Sequence, residues 1–220
     1  TPRTSSAASD VYKRQSPDMR NQLLNAGVGS LDGVLYTHSH ADHVHGLDDL
    51  RMIFFNMRKR IDVWADQATQ NDLIERFKYA FVQPDDSPYP PILNLNTLDG
   101  ITELYGDGGP INFFPFQVKH GNVNALGFRI GPLVYLPDVS EMSKEAWEEV
   151  KKAKCWILDA LRRNPHPSHS HLENSLEWIK TSGIERAILT NMHVDLDYET
   201  LIQETPKNVE PAFDGMVLDF

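Results

Sequence analysis

A single cysteine, Cys155, in a chain of 220 residues excludes a disulfide framework and any zinc module built on thiolates. It lies in the apolar run Cys155-Trp156-Ile157-Leu158, which reads as a buried strand carrying an inert core thiol. No apolar run approaches the ~20 residues that span a bilayer, so no membrane partner is expected. Cations are outnumbered, with 21 Lys and Arg against 31 Asp and Glu and a net charge of −10. That balance argues against a protein that coats nucleic acid. It does not exclude an anionic substrate, because bound divalent ions reverse the field locally. Repeats are absent, and the only biased segment is residues 1–15, rich in Ser, Ala and Arg. This stretch has neither the apolar core of a secretory signal nor a strand pattern. It is expected to be a disordered or non-native leader, with one domain over residues 16–220. A reducing, cytoplasmic setting fits best.

What the chain does have is concentrated in His38-Ser39-His40-Ala41-Asp42-His43, directly after the apolar run Gly33-Val34-Leu35-Tyr36. In an extended segment residues i and i+2 share a face, so His38 and His40 can converge on one cation. Asp42 and His43 must point elsewhere, which suits a second cation nearby. Neutral imidazole and carboxylate are ligands for zinc, manganese, iron, nickel or cobalt rather than calcium. The alternative is a polar loop that happens to be rich in histidine.

Periodicity and punctuation place the remaining elements. A short helix over 18–26 is capped by Ser16, has Pro17 in its first turn and stops at Gly27. A strand over 33–37 delivers the histidine motif. A helical pattern over 47–57, a strand over 61–65 and a helix over 67–81 follow. Pro84, Pro88, Pro90 and Pro91 mark 83–91 as a loop that could overhang the site. Strands are expected over 111–119, 126–130 and 133–136, then helix 144–152, strand 155–159, helix 172–181, strand 186–190 and helix 198–204. Strand and helix alternate in the second half, so a layered α/β domain is the economical architecture.

Two metals need more ligands than the hexapeptide supplies. His120, Asp138 and His193 each stand just past a separate apolar strand. Taken singly each reads as a structural or solvent-facing residue; taken with the hexapeptide they form a set.

The order His-x-His-x-Asp-His, then His120, Asp138 and His193, resembles the metallo-β-lactamase superfamily. Several segments narrow the resemblance: Ser16-Pro17-Asp18-Met19-Arg20, His45-Gly46-Leu47-Asp48-Asp49-Leu50-Arg51, His166-Pro167-Ser168-His169 and Leu189-Thr190-Asn191-Met192-His193-Val194-Asp195. They are similar to the branch containing the phosphoribosyl cyclic phosphodiesterase of the carbon–phosphorus lyase pathway. The closing Glu210-Pro211-Ala212-Phe213-Asp214-Gly215-Met216 fits it too. The resemblance implies a four-layer αββα sandwich with two divalent transition metals, zinc or manganese first and iron or nickel next. His38, His40 and His120 would hold one metal, Asp42, His43 and His193 the other, and Asp138 would bridge them. The pair would lower the pKa of water towards about 7 and so generate the nucleophile. Members open with strands and a Gly-rich turn for which residues 1–15 offer no counterpart, so the domain is expected to be truncated at its first sheet.

Asp42 and His169 are the catalytic candidates, and His169 matches a branch position that approaches the substrate phosphate. Its other reading is a loop histidine capping the next helix. His166 and His171 read as solvent-facing or capping, and His45 as support for the motif's turn. Asp159 either holds a ligand histidine or is a plain strand-end carboxylate. Arg51, Arg58, Lys59 and Arg60 read as a solvated helix face rather than a phosphate rim. Trp147, Trp156 and Trp178 read as core.

The expected activity is hydrolysis of phosphodiesters on small phosphorylated ligands, led by cyclic ribose phosphates or cyclic nucleotides. The rivals are a thioester or lactone hydrolase using the same ligands and a metal-binding fragment without turnover. An RNA-processing nuclease is disfavoured by the acidic balance. A flavodiiron role is disfavoured because His40 stands where such proteins carry Glu. A small phosphorylated substrate is the expected partner, and a homodimer is left open.

Overall fold

The computed structural model describes Val11–Tyr12 and residues 17–219. The chain forms two compact units, residues 1–112 and 113–220.

The first unit carries a parallel sheet in the order β1-β2-β3-β4, formed by Val11–Tyr12, Gly33–Leu35, Ile61–Ala65 and Leu93–Thr97. Its helices are α1 (Met19–Ala26), the one-turn α2 (Ala41–Val44), α3 (Leu50–Met57) and α4 (Gln67–Phe81), with a short 3-10 turn at Leu47–Asp49. Parallel strands buried on both faces require near-continuous apolar sequence, and Val34, Leu35 and Tyr36 supply it. Val34 and Tyr36 pack with Met19, Leu47, Leu50, Ile61, Val63 and Leu73 in one core.

The chain continues through β5 (Thr102–Gly106), β6 (Gly109–His120), β7 (Val123–Ile130), β8 (Leu133–Leu136), α5 (Lys144–Val150), β9 (Cys155–Asp159), α6 (Leu172–Ser182), β10 (Arg186–Thr190), α7 (Tyr198–Glu204) and β11 (Val209–Pro211). The second sheet has the order β11-β10-β9-β8-β7-β6-β5. β6, β7 and β8 run antiparallel in succession, whereas β8, β9, β10 and β11 are parallel. Leu136 is opposite Leu158, and Leu158 opposite Leu189, so the carboxyl ends of three neighbouring strands stop at one level. Open α/β sheets place their sites at such an edge. Phe116, Val134, Leu136, Trp156, Leu158 and Leu189 form the core of this unit. Trp147 packs edge-on against both Trp156 and Trp178 at 6.1 and 6.5 Å, as expected of core tryptophans. Cys155 is buried and burial pushes its thiol up, which keeps it inert.

The mixed architecture, sheets flanked by helices, is the expected class. Four expectations need correction. Val11–Tyr12 pair in parallel with Gly33–Val34, so at these two residues the leader has a strand. Val and Tyr suit the role, since β-branched and aromatic residues favour a pleated edge. The remainder of 1–15 lies outside the described residues. The N-cap of α1 is Asp18 rather than Ser16, which also lies outside them. The helix expected over 47–57 divides at Asp49 into a 3-10 turn and α3. β4, β5 and β11 were not expected at all.

Candidate metal centre

In the first unit, Tyr36 N–H still donates to the Trp64 carbonyl at 2.9 Å, so the histidine motif leaves directly from the edge of β2. His38 and His43 are buried and His40 is exposed. The His38 ring centroid lies 4.5 Å from that of His40 and 4.3 Å from that of His43. His40 is still extended, and the turn of α2 begins after it. That turn brings His43 back against His38, with Asp42 Oδ2 3.3 Å from His43 Nε2. The buried Thr37 hydroxyl lies 3.0 Å from His38 Nδ1 and 3.3 Å from His43 Nδ1. One hydroxyl thus lies against the inner nitrogen of two imidazoles. Outer contacts of this kind fix ring orientation and tautomer at metal sites. The motif loop is anchored by Arg76, whose Nη1 donates to the Ser39 carbonyl at 2.6 Å, and by the Ser39–Asp72 hydrogen bond. His45 packs edge-on against Phe77 at 6.1 Å, which agrees with a supporting role.

In the second unit the sheet edge collects His120 from β6, Asp138 past β8, Asp159 from β9 and Asn191 past β10. His120 Nδ1 meets the Ser168 carbonyl at 2.6 Å. A carbonyl can only accept, so Nδ1 carries the proton and Nε2 is the ligand atom. His169 Nδ1 lies 2.9 Å from Asp159 Oδ2 and 3.5 Å from Asp138 Oδ1. Its ring is 4.5 Å from that of His120. His120, Asp138 and His169 each offer a ligand atom, and these atoms lie within 4.8 Å of one another.

Asp159 is fully buried, and burial raises its carboxyl from 3.8 to about 6; the hydrogen bond from His169 opposes the shift and the Asp138 charge adds to it. It also accepts the Val139 N–H at 3.1 Å, which fixes the residue after Asp138. Asn191 Nδ2 lies 3.2 Å from Asp138 Oδ1 and 3.2 Å from Asp159 Oδ1. Asn191 has φ 61°, a left-handed conformation that asparagine tolerates better than most residues.

The sequence-derived residues are therefore distributed unevenly. His38, His40, Asp42 and His43 gather in the first unit, and His120, Asp138 and His169 in the second. The side chain of His193 is 59% exposed, and its Nδ1 lies 3.1 Å from Asp195 Oδ1. Asp159 holds His169 rather than one of the expected ligands. His171 occupies the N-cap of α6 without a side-chain cap bond, and His166 Nδ1 accepts from Ser168 N–H at 3.3 Å. Arg51 pairs with Asp48 at 2.7 Å. Thr37, Ser168 and Asn191 were not singled out as separate site residues. Each had a cue: Thr37 its place immediately before the motif, Ser168 and Asn191 their places inside segments that carry the family resemblance.

The donor chemistry of both groups fits a divalent transition metal: imidazoles joined by carboxylates.

The chain belongs to the beta-lactamase superfamily, whose domain model matches residues 12–192. Within it the chain has the metallo-β-lactamase fold and is similar to the PhnP family. A solved diphosphatase of the PhnP family is 32% identical, with a TM-score of 0.85, covering 96% of this chain and 79% of that one. Zinc-bound PqqB from Methylobacterium extorquens is 16% identical, with a TM-score of 0.73 over 96% of this chain and 83% of its own, and shares the fold. A curated octanoyltransferase from Porphyromonas gingivalis (strain ATCC BAA-308 / W83) is 32% identical over 204 residues, 91% of this chain. The chain spans 40% of that relative's length. Among the described residues no helix is long and apolar enough to cross a membrane.

Proposed function

We propose that this chain is a phosphodiesterase for small phosphorylated ligands, with cyclic ribose phosphates or cyclic nucleotides as the leading class. The observation that carries the reading is the carboxylate-backed His169, 2.9 Å from the buried Asp159 and beside the metal-competent His120 and Asp138. Two divalent ions, zinc or manganese first, would supply the nucleophilic hydroxide and neutralise charge on the phosphorus. His38, His40, Asp42, His43, His120, Asp138 and His193 would hold them.

His169 then serves the other end of the reaction. Cleavage of a phosphodiester expels an alkoxide, which needs a proton. With Nδ1 bonded to Asp159, Nε2 is the atom from which His169 delivers one. General-acid help of this kind is worth about a hundredfold to ten-thousandfold. The diphosphatase description of the PhnP-family neighbour supports phosphoryl chemistry. The acyl chemistry in the name of the P. gingivalis relative is that of a protein of which this chain spans 40%. The thioester alternative has no observation of its own.

The test is a panel of phosphodiesters and acyl thioesters run on metal-reconstituted protein, with His169→Ala beside it. Elemental analysis should approach two metal equivalents per chain, and Asp138→Ala should lower that figure. His169→Ala should keep its metal and lose turnover most with poor leaving groups, least with nitrophenolate. Thioester hydrolysis without phosphodiester hydrolysis overturns the substrate class. Loss of metal from His169→Ala overturns its assignment as the acid.

A further inference from the structure

Two buried carboxylates stand side by side at the edge of the second sheet, and one half-buried asparagine joins them. Asp138 and Asp159 expose 1% and 0% of their side chains. A buried acid is tolerated only where donors reach it. Asp159 has three, one from each neighbouring piece of the sheet edge. Val139 N–H, just past β8, meets Oδ2 at 3.1 Å. His169 Nδ1, on the loop after β9, meets the same oxygen at 2.9 Å. Asn191 Nδ2, one residue past β10, meets Oδ1 at 3.2 Å. The same amide nitrogen lies 3.2 Å from Asp138 Oδ1.

What each atom can donate or accept fixes the arrangement. Ionised carboxylates only accept, so the NH2 of Asn191 faces them and its carbonyl oxygen does not. His169 Nδ1 lies 3.3 Å from the same nitrogen, but both amide hydrogens serve the acids, so Nδ1 keeps its own proton for Asp159 Oδ2. Two acceptors around one atom call for two hydrogens on that atom. Among uncharged side chains only the carboxamides of Asn and Gln have them, whereas a hydroxyl has one. The backbone supports the placement. Thr190 stands opposite Asp159 in the ladder, and its carbonyl accepts the Ala160 N–H at 3.0 Å, so Asn191 leaves the sheet directly beside the acid. It does so at φ 61°, a conformation that asparagine tolerates and most side chains do not.

We propose that Asn191 is the positioning residue of this centre: its amide orients Asp138 for metal binding and, through Asp159, orients His169 towards the leaving group. The assignment rests on the phosphodiesterase reading above and adds to it a residue that acts only through its neighbours. Asp138 belongs to the proposed ligand set and Asp159 backs the proposed acid, so one amide serves both halves of the chemistry. Its loss should weaken metal binding and proton delivery together.

Two substitutions separate the amide from the backbone that carries it. Asn191→Gly removes the amide and keeps the turn, since glycine adopts positive φ without steric cost. Asn191→Ala removes the same amide but leaves a Cβ at positive φ, so it should melt a few degrees below the glycine variant. Metal affinity, read by chelator competition, should fall about tenfold to hundredfold in both, as on losing a ligand's supporting partner. With metal saturating, kcat for an alkyl phosphodiester should fall about tenfold more than kcat for a nitrophenyl one, because only the alkoxide needs the proton, and this is part of the hundredfold to ten-thousandfold that a general acid supplies. In a His169→Ala background, Asn191→Gly should leave that leaving-group ratio unchanged, since the residue it acts through is gone. Parental metal affinity in both variants overturns the proposal, as does an equal loss of kcat with the two leaving groups. Site losses that follow melting, larger in Asn191→Ala than in Asn191→Gly, overturn it in favour of a purely structural residue. A parental protein that cleaves no phosphodiester overturns the functional reading instead, and chelator competition then decides the role of Asn191 by itself.

Discussion

Gly121 follows His120 with φ +61°, and a Cβ built there would lie 2.7 Å from Ser168 Cβ and 3.3 Å from its Cα. Replacing it with alanine therefore costs twice. The left-handed backbone disfavours any side chain by about 1–2 kcal/mol, and forcing a methyl group against packed backbone costs about 1–3 kcal/mol more. The sum, about 2–5 kcal/mol, is a large part of the stability of a domain. At about 2–4 °C of Tm per kcal/mol for a chain of this size, thermal melting should fall by roughly 4–20 °C. Ser168 cannot retreat harmlessly. Its carbonyl fixes His120 Nδ1 at 2.6 Å, and the next residue is His169. Gly121→Ala should therefore also weaken metal binding, by the tenfold to hundredfold typical of losing a ligand's supporting partner, read by chelator competition. Gly131 supplies the control. It has φ +53° in the β7–β8 turn, and its Cβ would meet nothing within 4 Å. Gly131→Ala should lose only the backbone part of the stability and keep parental metal affinity. Equal melting losses in the two variants, with metal affinity intact in Gly121→Ala, would refute the reasoning.

Two further outcomes follow from hydrogen bonds at the site. Thr37→Val keeps the shape of a buried residue but removes the hydroxyl that meets both His38 Nδ1 and His43 Nδ1, so metal affinity should drop about tenfold to hundredfold while circular dichroism is unchanged; unchanged affinity would show that Thr37 does not orient those rings. Asp159, raised from 3.8 to about 6 by burial, binds its proton more tightly folded than unfolded, so in metal-free protein its contribution is most favourable below about pH 4 and is lost as pH rises through about 6; about two pKa units correspond to about 3 kcal/mol, and chelated Asp159→Asn should therefore gain on the parental protein by up to that amount between pH 4 and 7 in urea melts, whereas parallel curves would refute the shift.

The histidine motif stood out because metal binding, the chemistry proposed for it, needs fixed residue types at fixed spacing, and nothing in tertiary packing can change that spacing. The strands β9 and β10 were legible for a related reason: burial on both faces forces apolar runs, whereas β3 showed itself by the alternation of Ile61, Val63 and Ala65, all buried, with Asp62 and Trp64. β4 was hidden. Its sequence Leu93-Asn94-Leu95-Asn96-Thr97 alternates, but asparagine is a poor strand former and the run follows a proline-rich loop. Its partner explains the choice, since Asn94 Nδ2 donates to Asp62 Oδ1 at 3.0 Å on β3. β11 has three residues ending in Pro211, an edge strand too short for any period to register. The helical turn α2 inside the histidine motif was missed because four residues make barely one turn. His38 and His40 keep the extended backbone on which their expectation rests, because α2 begins only after His40.

What no pattern in the sequence could supply is the role of Asn191. β8 and β10 are not neighbours; β9 lies between them, so their carboxyl ends stand roughly 9–10 Å apart at the usual strand spacing. Asp138 and Asn191 nevertheless meet at 3.2 Å, and Asn191 is equally close to Asp159. Asn191 makes this reach from a left-handed backbone, φ 61°. A single NH2 group then contacts the carboxylate expected to bridge the metals and the carboxylate that holds His169. Neither acid can shift without disturbing the other through that amide. The sheet's register brings the three strand ends level, and one strained asparagine converts that alignment into a coupled site. Strain of this kind persists only where the surroundings over-determine it, and here they are two buried acids and the sheet edge beneath them.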